Sequence, residues 1–202
     1  FRGSKNYTSA QQAKIFKEVG ADRNAYTTDD YTNYHTTFAK EDLETVLKVE
    51  ADRFQGLMYS KKVFRTESQA VFGEYNKNSS NPISKMFEVM RDTAFQRHPY
   101  KHTTMGFLRD IVKMPRQYEY SQSFFKRWYK PEYITILVVG DVEHGGAVGG
   151  IDLSPFSVRF DEGHLEDATG HYAAPAIAAA LPRRLIFPAR RPTARRSVSV
   201  VA

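Results

Sequence analysis

One segment, Tyr133-Ile134-Thr135-Ile136-Leu137-Val138-Val139, constrains the fold more than any other. β-branched and apolar side chains follow one another almost without interruption, and the run closes on Gly140-Asp141. That pattern predicts a central, buried strand, because only a strand with neighbours on both sides can hide so continuous an apolar run. A sheet built around it needs a covering layer, and the sequence before it supplies helices. Thr8 or Ser9 can cap a helix through Ala10–Val19, in which Ala13, Ile15, Phe16 and Val19 are apolar and Gly20 offers a left-handed stop. A second helix fits Lys40–Leu57. Leu43, Val46, Leu47, Val49 and Phe54 recur there at helical spacing, while Lys40, Glu41, Asp42, Glu44 and Lys48 face water. A third spans Arg65–Asn78. A fourth starts at Asn81-Pro82, carries Ile83, Met86, Phe87, Val89, Met90 and Phe95 as its apolar stripe, and ends at His98-Pro99. A fifth covers Arg116–Tyr129. Two strand-like pieces, Ala25–Thr27 and Tyr31–Phe38, separate the first two helices. The expected class is α+β: an antiparallel-rich sheet covered by helices on one face, a two-layer sandwich.

With 202 residues, 41% of them hydrophobic, the chain can bury one good core. The net charge of +6 suggests nucleic acid, but six arginines and no acid lie between Arg183 and Ala202. Removing those six from the 29 Lys and Arg leaves 23, matching the 23 acids, so the body of the chain has no basic footprint. A nucleic-acid partner is therefore not expected. The absence of cysteine excludes disulfides and thiolate metal sites and leaves His, Asp and Glu as the strong metal ligands. No stretch approaches the roughly 20 apolar residues that span a bilayer as a helix. After Glu143 the composition changes: no Lys follows Lys130, and Ala, Gly, Pro and Arg dominate. The expected organisation is a domain at 1–143 and a tail at 144–202, either disordered or frame-shifted, with no periodicity to support a packed element.

The chemistry-bearing feature is a pair of carboxylates, Glu67 and Glu74, seven residues apart in Thr66-Glu67-Ser68-Gln69-Ala70-Val71-Phe72-Gly73-Glu74. Seven residues are almost two helical turns, so both side chains share a face. Taken alone, the pair reads equally as a solvated helix face, with Glu67 a first-turn acid favoured by the helix dipole. Beside it, Asn24–Phe38 alternates like an edge strand, able to accept an extended peptide by strand addition. His35 lies alone in a Thr-rich strand and reads as a satisfied side chain, not a ligand. His98 and His102 are four apart, but Pro99 between them breaks the helical geometry that would bind a metal. The aromatic cluster Tyr118, Tyr120, Phe124, Phe125, Trp128 and Tyr129 follows helical spacing and reads as core.

Taken in order, Phe1-Arg2-Gly3-Ser4-Lys5-Asn6-Tyr7, Asn24-Ala25, the Glu67/Glu74 pair, His98-Pro99-Tyr100, Gly106 and Trp128–Asp141 resemble the pitrilysin/insulysin zinc metallopeptidases, the inverzincins. The resemblance implies half of a clamshell peptidase domain. It implies Zn2+ as cofactor, with Glu74 as a metal ligand and Glu67 as the catalytic-site carboxylate that orients a ligating histidine. It implies that Asn24 and Ala25 bind an unstructured peptide substrate, and that a C-terminal half-domain or partner subunit completes the chamber. The inverted His-x-x-Glu-His motif that supplies two ligands and the general base is absent from these residues. It belongs just ahead of Phe1, and because the chain opens without an initiator Met, a preceding segment is expected. One carboxylate does not hold zinc tightly, since micromolar binding requires about 8 kcal/mol, so the expectation for this chain alone is inactivity. The alternative is a non-catalytic peptide-binding or structural subunit of the same ancestry. The expected compartment is the bacterial periplasm, with zero cysteines compatible but not diagnostic.

Overall fold

A computed structural model describes residues 1–140 together with the strands at 157–161 and 195–201. Helix α1 (Ser9–Glu18) starts at a capping box: Thr8 Oγ1 accepts from the Gln11 amide at 3.3 Å, while Gln11 Oε1 accepts from the Thr8 amide at 2.8 Å. Gly20, at φ +59°, ends it in the left-handed conformation that its sequence position suggests. Strands β1 (Asp22–Thr27) and β2 (Thr32–Ala39) form an antiparallel hairpin in register from Asp22↔Thr37 to Thr27↔Thr32. Helix α2 (Leu43–Gly56) follows. Helix α3 (Lys61–Ser79) begins four residues earlier than expected, because the Ser60 hydroxyl accepts from the Val63 amide at 3.2 Å and caps it. Helix α4 (Pro82–Ala94) is capped by Asn81, whose side chain accepts from the Ile83 amide at 2.9 Å. A short α5 (Leu108–Ile111), then α6 (Tyr118–Trp128), lead to β3 (Thr135–Val139).

The class is α+β, as expected. The five-stranded sheet has the order β1-β2-β5-β3-β4, where β4 is Ser157–Asp161 and β5 is Arg195–Val201. Every pairing is antiparallel except β3 with β4. Helices α1 and α2 lie on one face, enclosing Phe16, Phe38, Val46, Leu47, Val49, Phe54, Ile134, Ile136 and Val138. Burying each such side chain contributes about 1.5–3 kcal/mol. β3 holds the central place its composition demands, yet only its Ile136 and Val138 face is fully buried; Thr135, Leu137 and Val139 are half-buried.

Two expectations are corrected, for the apolar stripe of α4 and the aromatic cluster of α6, and two segments beyond Glu143 are described. The segment after Glu143 contributes two strands: β5 inserts between β2 and β3, pairing Asn33↔Val201 on one side and Thr135↔Val201 on the other. The alternation Ser197-Val198-Ser199-Val200 is the period-2 pattern of a strand, hidden by the Arg-rich, Pro-rich sequence before it. The remaining tail residues lie outside those described. The apolar stripe of α4 buries no residue, and Ile83, Met86, Phe87, Val89 and Met90 are all exposed. The aromatic cluster of α6 is divided: Phe125 and Tyr129 turn inward beside Phe54, while Tyr120, Phe124 and Trp128 are exposed.

Candidate functional site

The two glutamates stand on α3, whose inward positions are Phe64, Ser68 and Tyr75. Ser68 is fully buried, its hydroxyl donating to the Phe64 carbonyl at 2.8 Å, and this fixes which face of the helix turns to the protein. Glu67 is half-buried and receives Arg2 Nη2 on Oε1 at 2.6 Å. Arg2 is brought there by the opening segment, which is bridged to Thr8 through Gly3 and to Leu57 through Ser4. Gly3 sits at φ +124°, with Ser9 N only 3.2 Å from where a Cβ would lie, so this turn requires glycine. Glu74, almost two turns further along, is exposed and borders a cleft of about 800 Å³. Phe64, Val71, Ile111, Met114 and Phe124 give that cleft an apolar lining, with Glu74, Asp110 and Lys113 at its polar positions.

The donors present do not fit a zinc centre. Zinc in a peptidase takes three protein ligands and leaves a fourth position for water. Among the described residues, no group of three or more His, Cys, Asp or Glu could hold a metal ion. The three described histidines, His35, His98 and His102, have partners elsewhere. His35, in β2, is half-buried opposite Asn24, its ring 6.3 Å from that of Tyr26. His98 Nδ1 accepts from the Tyr100 amide at 3.2 Å and caps the single turn Pro99–Lys101, while His102 Nδ1 lies 2.9 Å from the Thr103 carbonyl. Both shape a loop, as the intervening proline suggests.

β1 is the outermost strand of its side of the sheet, paired with β2 alone among the described residues. Asn24 and Tyr26 are exposed and Ala25 is half-buried. The Ala25 amide donates to Asn24 Oδ1 at 2.8 Å, so the Asn24 side chain holds one main-chain donor of the edge strand. At the hairpin tip, the Thr28 amide donates to the Tyr31 carbonyl at 2.9 Å and Thr28 Oγ1 accepts from the Tyr31 amide at 3.2 Å. Asp29 and Asp30 project from that tip to partners that no sequence spacing linked to them. Arg91 grips Asp29 with both guanidinium nitrogens, at 2.6 and 2.9 Å, and the Tyr100 hydroxyl donates to Asp30 at 2.6 Å. These pairs are separated by 62 and 70 residues, beyond any local signal.

Residues 1–107 match the model of the insulinase family, peptidase family M16. The chain belongs to that family. Among its relatives, a zinc protease named PqqE from Helicobacter pylori is 31% identical over 143 residues, which are 70% of this chain and 32% of that protein. An uncharacterized zinc protease of Rickettsia felis is 24% identical over 71% of this chain and 34% of its own length. The mitochondrial cytochrome b-c1 complex subunit 1 of Rattus norvegicus is 25% identical over 71% of this chain and 30% of its own length. The crystal structure of a protease from Helicobacter pylori superposes with a TM-score of 0.62 and 28% identity, covering 66% of this chain and 32% of that one. This insulinase-family chain thus spans about a third of the length of the curated relatives it matches.

Proposed function

We propose that this chain is part of a zinc-dependent metalloendopeptidase that hydrolyses extended peptides. In that reading Glu74 supplies one metal ligand, Glu67 steadies a ligating histidine, and Asn24 and Ala25 form the edge that pairs with the substrate main chain. The observation that carries it is the Glu67/Glu74 spacing on one face of α3 in a member of the insulinase family. Relatives named as zinc proteases support it. The chain's own residues then have three tasks: to offer a carboxylate at the rim of an apolar cleft, to hold a second carboxylate beside Arg2, and to leave a strand edge open to a peptide. The remaining ligands, the general base and a second half-domain or partner subunit come from outside these residues.

The chain by itself is predicted to neither retain zinc stoichiometrically nor cleave peptide, because one carboxylate is too weak a site. Metal analysis of the purified chain after zinc loading and dialysis checks this; one zinc per chain overturns it. The peptidase reading is tested by the coding sequence next to Phe1. An in-frame His-x-x-Glu-His there supports it, and Glu74→Gln in the completed protein then abolishes zinc retention. A second reading, a non-catalytic subunit of a larger assembly, is favoured by the relative named as a cytochrome b-c1 complex subunit. Substituted ligand positions upstream of Phe1 decide for it, whereas unchanged zinc content in the Glu74→Gln protein overturns the ligand role of Glu74.

A further inference from the structure

The hairpin tip carries a clasp that ties the open edge strand to the helix bearing Glu74. Asp29 receives a bidentate Arg91 fork at 2.6 and 2.9 Å, and Arg91 Nη1 also reaches the His102 carbonyl at 3.4 Å. Asp30 independently receives the Tyr100 hydroxyl at 2.6 Å. Tyr100 is itself set by ring contacts with Phe95 and His98, at centroid distances of 6.0 and 4.4 Å. Two consecutive acids are thus held by two different elements, the last turn of α4 and the Pro99–Lys101 turn. α4 is in turn joined to α3. Glu88, one turn before Arg91, accepts the hydroxyl of buried Tyr75 at 3.0 Å, and Tyr75 is the neighbour of Glu74. The connections run from the β1–β2 tip through Asp29, Arg91, Glu88 and Tyr75 to the Glu74 position.

We propose that Arg91 and Tyr100 are positioning residues that set β1 relative to Glu74, so that a peptide paired along the edge lies at the height of that carboxylate. This rests on the reading of β1 as the peptide-binding edge. The geometry favours a positioning role over a stabilising one. A partly exposed ion pair contributes little to folding, typically under about 1 kcal/mol, whereas a planar two-point contact restricts direction as well as distance. β1 needs such a restraint, because it has one paired neighbour among the described residues and no fully buried residue of its own. A two-stranded tip without further packing frays and twists.

The test uses the 202-residue chain, in wild-type, Arg91→Gln, Tyr100→Phe and Asp29→Arg/Arg91→Asp forms, with a fluorescein-labelled, proline-free decapeptide as probe. Amide hydrogen exchange across residues 22–32 is expected to accelerate by about tenfold in Arg91→Gln, with α2 unchanged. Decapeptide affinity is expected to fall by about tenfold without a matching fall in melting temperature, and the reversed pair is expected to restore it. Unchanged exchange at the hairpin in Arg91→Gln overturns the clasp. Accelerated exchange with unchanged decapeptide affinity overturns the positioning role alone. A wild-type chain that binds no decapeptide overturns the edge reading and the positioning role with it, whatever the exchange shows.

Discussion

At the scale of single residues, the most deeply buried ion pair among the described residues lies in the core and not at the candidate site. Glu50 and Arg53 are 4% and 5% exposed, paired within one turn of α2 through Arg53 Nε and Glu50 Oε2 at 2.8 Å. The guanidinium also lies over the rings of Phe54 and Tyr34, at 4.3 and 4.6 Å. Taking two charges out of water is unfavourable, and the pair persists because each partner satisfies the other. Glu50→Gln leaves a buried cation uncompensated and is expected to destabilise the fold by about 3–5 kcal/mol. The urea midpoint at constant slope measures it. Glu50→Leu with Arg53→Met removes both charges together and is expected to lose far less. Helical periodicity did not reveal these positions, since a Glu and an Arg three apart on an amphipathic helix ordinarily form a wet surface pair. Glu67 and Glu74 were legible for the opposite reason: the spacing of like residues on one face is a property of the helix alone. That Arg2 would meet Glu67 was not legible, because the contact depends on the turn at Gly3 and on where the opening segment lies against α2.

At the scale of elements, the hairpin clasp has a pH signature. The Arg91 hydrogen bonds hold the Asp29 carboxyl below its ordinary 3.8, and the bond to Asp30 holds the Tyr100 phenol above its ordinary 10. A depressed carboxyl contributes above its unfolded value and is lost as pH falls through the lowered one; a raised phenol contributes below its unfolded value and is lost as pH rises. Both halves of the clasp are therefore expected to be intact between about pH 5 and 9, with the Asp29 half released only in stronger acid. An NMR titration of the Asp29 side chain checks this, and Arg91→Gln is expected to bring it back to the ordinary value. Most elements were readable because their signals are local. Thr8, Asn81 and Gly20 announce helix ends through bonds made within one turn. β5 was missed although Ser197–Val200 alternates, since a short alternating segment far from any other strand says nothing about which strands it will join.

At the scale of the molecule, the described residues leave two apolar faces uncovered. Ile83, Met86, Phe87, Val89 and Met90 of α4 are between 46% and 60% exposed. Tyr120, Phe124 and Trp128 of α6 continue with Tyr133 as a ladder of exposed rings at 5.9–6.5 Å spacing. Contiguous apolar surface of this kind is uncommon on monomeric proteins. The isolated chain is accordingly expected to self-associate as concentration rises, and Phe87→Lys and Phe124→Lys together to reduce it. Sedimentation velocity across a concentration series reads this out, and a monodisperse wild-type sample with one sharp cooperative melt overturns it. The α+β class, the positions of the principal helices, the central strand at Thr135–Val139 and the ordered motifs of the insulinase family are legible in the order of residues alone. All of these follow from periodicity, caps and spacings that act over a few residues. Packing settles which amphipathic faces are covered, that β5 fills the place between β2 and β3, and that Arg91 and Tyr100 hold the tip of the edge strand. Those outcomes depend on where distant segments lie, and a side chain's direction relative to a partner 60 residues away is set by packing, which no local pattern encodes.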